Sequence, residues 1–154
     1  MPAHLLPITH YRQQNDGDCL VACAQMVLTY LGINVPYKRL KQILDVDVWG
    51  VPHSHIHNLA HHIPGLDIIR KLGDLPDLLE AIDRGSPPII FVWTGELPYA
   101  EIISYHAIVL AGYDEDYFYV YDPAQVDAPI QVLQGDVTLA WIAHNSHFAT
   151  IEKP

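Results

Sequence analysis

Tyr105-His106-Ala107-Ile108-Val109-Leu110-Ala111-Gly112-Tyr113, then Asp114-Glu115-Asp116, then Tyr117-Phe118-Tyr119-Val120-Tyr121-Asp122, is the stretch whose reading decides the fold. Two runs rich in β-branched and aromatic residues, separated by a short acidic turn, read as an antiparallel hairpin. In such a pair, directly opposed residues project to the same face. A three-residue loop, Asp114 to Asp116, puts Tyr113 opposite Tyr117 and therefore Asp122 opposite Ile108. His106 and Asp122 are then diagonal neighbours on one face, roughly 7 to 8 Å apart at Cα, within reach of an imidazole-to-carboxylate hydrogen bond. A loop of two or four residues would send them to opposite faces.

Outward from the hairpin, Pro88 to Trp93 is a continuous apolar run of strand length, which fits a central strand covered on both faces. Pro129 to Leu133, His147 to Ile151 and a short candidate at Leu66 to Arg70 complete the strands. Helical periodicity marks Tyr37 to Leu44 after Pro36, with Leu40, Ile43 and Leu44 inward, and Leu75 to Arg84, with Leu75, Leu78, Leu79 and Ile82 inward and Gly85 at its end. Ser54 to Ile63 reads as a helix with Ile56, Leu59, Ala60 and Ile63 inward, stopped by Pro64-Gly65, and Asp136 to Ile142 as a short helix or turn. Residues 1 to 18 read as an extended arm and loop, because Pro2, Pro7 and Asn15-Asp16-Gly17 interrupt any helix. Helices in the first half and mostly hairpin-linked strands in the second predict an α+β chain, with residues 1–154 as one domain.

Gln13-Gln14-Asn15-Asp16-Gly17-Asp18 runs as a polar loop into the apolar Cys19-Leu20-Val21-Ala22-Cys23-Ala24-Gln25-Met26-Val27-Leu28, so a helix is expected from about Asp18 to Leu31 with Gly32 ending it. Asp18 is the natural side-chain N-cap. Leu20, Cys23, Ala24, Val27, Leu28 and Leu31 form the expected buried stripe, with Cys23 a small core residue beneath Cys19. Cys19 falls in the first turn, where unpaired N–H groups and the positive end of the dipole favour a thiolate, so it reads as a nucleophile. The adjacent Asp18 charge opposes this and requires a partner imidazolium. His106 and Asp122 supply one: the carboxylate fixes the imidazole tautomer while the other ring nitrogen takes the thiol proton.

Composition narrows the function. The 154 residues carry 18 Asp and Glu against 8 Lys and Arg, a formal charge of -10, which repels phosphate backbones and argues against nucleic acid and anionic membranes as partners. Two cysteines four apart on one helix suggest no disulfide framework and so a reducing cytoplasm. The start has no basic leader, and no run approaches the roughly 18 apolar residues that span a bilayer. In His53-Ser54-His55-Ile56-His57-Asn58-Leu59-Ala60-His61-His62, His57 and His61 stand one helical turn apart and could chelate zinc or nickel. No cysteine or acid lies within the run, and histidines facing water are the simpler account. Tyr117, Tyr119 and Tyr121 alternate on the face opposite Asp122, where they pack, while Trp93 and Tyr105 near strand ends could line a substrate groove.

Gln13, five residues, Cys19, then Ala22 and Met26 in a helix ending Tyr30-Leu31-Gly32, followed by His106-Ala107-Ile108-Val109 and Tyr119-Val120-Tyr121-Asp122-Pro123, resembles the C39-type, bacteriocin-processing-like cysteine peptidases of the papain-like superfamily. Gly85-Ser86-Pro87-Pro88-Ile89-Ile90 and Trp141 fit as well, so the likeness covers nearly the whole chain. The resemblance implies a papain-like fold in which an N-terminal helical half carrying the nucleophile packs on a C-terminal antiparallel sheet. It implies Cys19 as nucleophile, His106 as general base and acid, Asp122 as the residue orienting His106, and Gln13 as an oxyanion-hole donor beside the Cys19 N–H. Gln14 is a poorer rival to Gln13, since one residue changes where a side chain points. The substrate would be a peptide or protein, cut at a peptide or isopeptide bond, with no metal or organic cofactor. Family members that trim leader peptides often carry Gly after the cysteine and are fused to transporters with an ATPase domain. This chain has Leu20 and stands alone, departures that weigh against cleavage after a double-glycine leader, while the resemblance still implies a small-residue preference. An inert peptide-binding module of the same shape and a papain-like acyltransferase or transglutaminase are the alternatives.

Overall fold

The computed structural model describes residues 4–153; Met1-Pro2-Ala3 of the expected arm, with Pro2, lie outside the described residues. Helix α1 (Cys19–Tyr30) is more deeply embedded than one stripe requires: Leu20, Val21, Ala22, Cys23, Ala24, Met26, Val27 and Leu28 are all buried. It lies between the sheet and helix α2 (Tyr37–Leu44), and a helix with partners on several sides is apolar nearly all round. Each of its buried Val, Leu and Met side chains contributes about 1.5 to 3 kcal/mol by leaving water. In α2 the buried residues are Leu40, Ile43 and Leu44, as the periodicity requires.

The histidine-rich segment departs from expectation. A 3₁₀ turn (His53–His57) precedes a short α3 (Asn58–His62), and although Ile56 and Leu59 are buried, Ala60 is exposed and Ile63 only half-buried. Residues in a 3₁₀ turn advance about 120° each rather than 100°, so the change of winding rotates the inward face away from Ala60. Helix α4 (Leu75–Asp83) starts with a capping box in which Asp74 and Asp77 each accept the other's backbone N–H, and Leu78, Ala81 and Ile82 form its buried face.

The described strands are β1 (His4–Leu5), β2 (Asp67–Leu72), β3 (Ile89–Trp93), β4 (Tyr105–Tyr113), β5 (Tyr117–Tyr121), β6 (Ile130–Leu133) and β7 (His147–Glu152). They form one antiparallel sheet in the order β2-β7-β3-β4-β5-β6, with β1 paired to the far end of β4. The last strand is inserted between β2 and β3 rather than added at an edge. Alternating side chains divide the core in two. Ile89, Phe91, Val109, Tyr121 and Ala149 face α1, α2 and α3, while Ile90, Val92, Ile108, Phe118, Val120 and Phe148 face α4 and helix α5 (Gln134–Ile142), whose Val137, Ala140 and Trp141 are buried. The expected arrangement, helices before sheet, is therefore extended: helices cover both faces of the sheet in an α+β fold.

Candidate active site

The loop that leads into Cys19 is built from its ties. Asp18 precedes α1 and its carbonyl accepts the first helical bond, from Ala22 N at 3.1 Å, but its side chain caps nothing. The carboxylate turns away, accepting from Tyr37 Oη at 2.7 Å and Asn15 Nδ2 at 2.9 Å and pairing with Lys41 Nζ at 3.3 Å. This corrects the N-cap reading: a buried carboxylate gains more from a hydroxyl, an amide and an ammonium together than from one N–H. Burial pushes the Asp18 carboxyl up, yet those donors hold it below the ordinary carboxylate range. The result anchors the loop to α2 and leaves the first-turn N–H groups free of a cap at Cys19, which is half-buried. Gly17 has no room for a side chain, since a Cβ there would lie 2.8 Å from the backbone N of Gly50.

His106 Nε2 lies 2.7 Å from Asp122 Oδ1, and the two side chains are 9% and 2% exposed. The pair shares a face as expected, but for a different reason. Tyr113 stands opposite Phe118 and Asp114 N bonds Tyr117 O, so the turn is one residue shorter than expected, with the two residues Glu115-Asp116 at its tip. That turn alone would separate His106 from Asp122. A bulge between Leu110 and Gly112 shifts the register by one, restoring Leu110 opposite Val120 and Val109 opposite Tyr121, and returns both residues to the same face. Asp122 follows the last residue of β5, so the pair emerges where β4 and β5 part.

Asp122 accepts two further bonds, from Ala124 N to Oδ1 at 2.8 Å and from Tyr99 Oη to Oδ2 at 2.7 Å. Burial raises the Asp122 carboxyl, but the imidazole, the phenol and the amide hold it below the usual range. Burial also disfavours a charged His106, yet the hydrogen bonds to Asp122 and to Cys19 outweigh it and push the imidazole up to about 10. With Nε2 on the carboxylate, Nδ1 is the remaining ring nitrogen, and Cys19 lines the same cleft as His106. The geometry suits an imidazolium held beside a carboxylate. Tyr99, in a loop without periodicity, had no sequence signal.

Gln13 is tied differently. Its backbone N–H donates to Pro123 O at 2.9 Å, its side-chain Nε2 donates to the carbonyls of Asn15 at 3.0 Å and Asp16 at 3.2 Å, and its Oε1 is buried without a partner. The structure thus brings Cys19, His106 and Asp122 into one network and places the Gln13 amide in the loop beside it. Gln14 is exposed, and its N–H donates to Tyr37 Oη.

A cleft of about 240 Å³ opens at Cys19 and His106, walled by Trp49, His53, Phe91, Tyr105 and His144. Tyr105 lines it as expected; Trp93 supports Tyr105 from behind, ring centroids 4.9 Å apart. His53 stacks on Phe91 at 4.6 Å, and its Nδ1 accepts from Arg70 Nη1 at 3.1 Å, so this histidine is half-buried and held by protein partners rather than simply facing water. His55 bonds Leu44 O and His62 bonds Asn58 O; among the described residues no cluster of three His, Cys, Asp or Glu could hold a metal ion. Cys23 is fully buried under Cys19 with Sγ 3.4 Å from Ala107 O, and burial pushes its thiol well up. A wider depression of about 680 Å³ at Leu31, Arg84 and Glu152 contains Ser86, whose hydroxyl donates to Glu152 at 2.7 Å. Tyr121 packs in the core as expected, while Tyr119 donates to Asp114. No described helix is long and apolar enough to cross a membrane.

A family model described as Peptidase_C39 like matches residues 5–146. Among solved structures, the chain is similar to one described as a C39-like peptidase from Bacillus anthracis, with a TM-score of 0.83 and 19% identity over 100% of this chain and 98% of that one. It is also similar to a double glycine motif protease from an AMS/PCAT transporter in complex with the leader peptide, at 0.76 and 18% over 99% and 96%. The peptidase domain of Streptococcus ComA, a bi-functional ABC transporter involved in quorum sensing, gives 0.76 and 16% over 94% and 98%. A search of curated proteins finds no match.

Proposed function

Because this chain belongs to the Peptidase_C39 like family, we propose that it is a cysteine peptidase, acting as a single domain over residues 1–154, that hydrolyses a peptide or isopeptide bond with Cys19, His106, Asp122 and Gln13. His106 Nδ1 takes the Cys19 proton while Asp122 holds Nε2. The thiolate adds to the carbonyl, His106 returns the proton to the leaving amine, and water then attacks the thioester with His106 as base. The Cys19 N–H and one N–H of Gln13 receive the oxyanion, Gln13 releasing a loop carbonyl to do so, at about 3 to 4 kcal/mol for each donor. The chemistry runs on the chain's own side chains and water.

The observation carrying this reading is that one buried imidazole has a carboxylate at 2.7 Å on Nε2 and lines the same cleft as Cys19. The bulky walls of the cleft support a small residue at the scissile bond, and two free cysteines suit a reducing cytoplasm. Digesting a proteome-derived peptide library with wild type and Cys19→Ala tests it: cleavage that requires Cys19 is expected, and its absence sinks the reading. Product masses with an added amine separate hydrolysis from acyl transfer. Gln13→Ala is expected to lower kcat about 10² to 10³-fold, and Gln14→Ala to leave it within a few-fold.

A further inference from the structure

Asp122 has one oxygen for His106 and another for a residue outside the four above. Oδ1 takes His106 Nε2 and Ala124 N, and among the described residues Oδ2 takes only the Tyr99 hydroxyl, at 2.7 Å. We propose that Tyr99 is a positioning residue that locks the Asp122 carboxylate in its His106-facing rotamer, and that the loop from Thr94 to Ser104 is built to hold it there. This rests on the reading of His106 and Asp122 as the proton-handling pair.

The loop is closed at its neck. Thr94 is 5% exposed; its Oγ1 donates to Ile102 O at 2.7 Å and accepts from Ser104 N at 2.8 Å, while its N–H donates to Ser104 O at 3.0 Å. Inside the neck, Leu97 N bonds Thr94 O and Ala100 N bonds Leu97 O, and the Leu97 side chain is buried in the second core. Tyr99 therefore projects from a braced turn, and the same neck leads after one residue into His106. The chain from Thr94 through Tyr99 to Asp122, across to His106 and back along Tyr105 and Ser104 is a closed ring of covalent and hydrogen bonds. A carboxylate held at both oxygens cannot rotate away when its partner imidazole changes charge. Burial, then the neighbouring Asp122 charge, raises the Tyr99 hydroxyl above the ordinary tyrosine range, so it donates at every working pH.

Tyr99→Phe keeps the ring and removes only the hydroxyl. It is expected to raise the Asp122 carboxyl titration, followed by carbon NMR, by about one unit, and to move the acid limb of Cys19 alkylation by iodoacetamide upward with it. With a peptide substrate, kcat is expected to fall about 10- to 100-fold with KM within twofold, the size of one lost charge-assisted hydrogen bond. The first two readouts need no substrate, so they report on Tyr99 even where the peptidase reading has failed. An unmoved carboxyl titration and alkylation profile overturn the proposal, whatever happens to stability. Thr94→Val leaves Tyr99 in place and unties the neck. It is expected to move the same limb in the same direction by less, and if Tyr99→Phe does not fold, an unmoved limb in Thr94→Val overturns the proposal instead.

Discussion

The backbone N–H of Gln13 donates to the carbonyl of Pro123 at 2.9 Å, joining the loop that enters Cys19 to the turn that leaves Asp122. His10 Nε2, 2.8 Å from Gln125 O, adds a second tie between the same two segments. Residues more than a hundred positions apart are thereby held as one unit around His106.

The two thiols are expected to differ sharply. Cys19 is half-buried beside His106, whereas Cys23 is fully buried. In the folded protein, alkylation followed by intact mass should stop at one adduct, on Cys19, and His106→Ala should slow it about tenfold or more. Labelling of both thiols at one rate, unaffected by His106→Ala, counts against the site.

His106 is raised to about 10 against an ordinary value near 6.5, so it binds a proton more tightly in the folded state. Its contribution to stability is full below about pH 6.5 and is lost as pH rises through about 10. Asp122, held low, contributes above its ordinary carboxylate range, and that part is lost as pH falls through its folded value. Asp122→Asn should flatten the alkaline slope and cost about 3 to 5 kcal/mol at neutral pH, measured by urea unfolding across pH.

His53 behaves in the opposite sense. Burial, His147, Arg70 and His144 lower it to about 4, so its stabilising effect is present above about pH 6.5 and is lost as pH falls toward 4. Because the Arg70 guanidinium only donates, His53 should be a neutral Nε2–H tautomer from pH 5 to 8, checked by nitrogen NMR of the ring. His53→Phe should remove this part of the acid slope.

Tyr37→Phe removes the hydroxyl that donates to Asp18 and accepts from Gln14 N. A loss of about 1.5 to 3 kcal/mol is expected in urea unfolding. Lys41→Ala should cost less than about 1 kcal/mol, since that ammonium is 35% exposed. Equal losses would show that the Asp18 tie is not what holds the loop.

The bulge makes the sharpest contrast. One glycine inserted between Glu115 and Asp116 lengthens only the exposed tip and should leave the His106 titration unchanged, because the register at His106 is set beyond the bulge. Deleting Ala111 removes the extra residue and turns His106 to the face opposite Asp122, together with the buried residues on its side of β4. Loss of the His106–Asp122 coupling and of cooperative unfolding is expected.

Local pattern alone determined much of this protein. The periodicity at Leu40, Ile43 and Leu44, the apolar run ending at Trp93, the alternation of the hairpin strands and a cysteine where a polar loop meets an apolar segment are all written within a few residues of themselves. Tertiary structure decided what depends on distant neighbours. Asp18 abandoned a local cap because Tyr37 and Lys41 arrive from another helix, β7 entered the sheet between β2 and β3, and Tyr99 reached Asp122 from a loop without pattern. The hairpin lies between these cases: composition announced its strands, but packing chose where the extra residue of the bulge would sit. Pattern encodes which face of an element is buried; only the assembled molecule determines which other buried groups that face will meet.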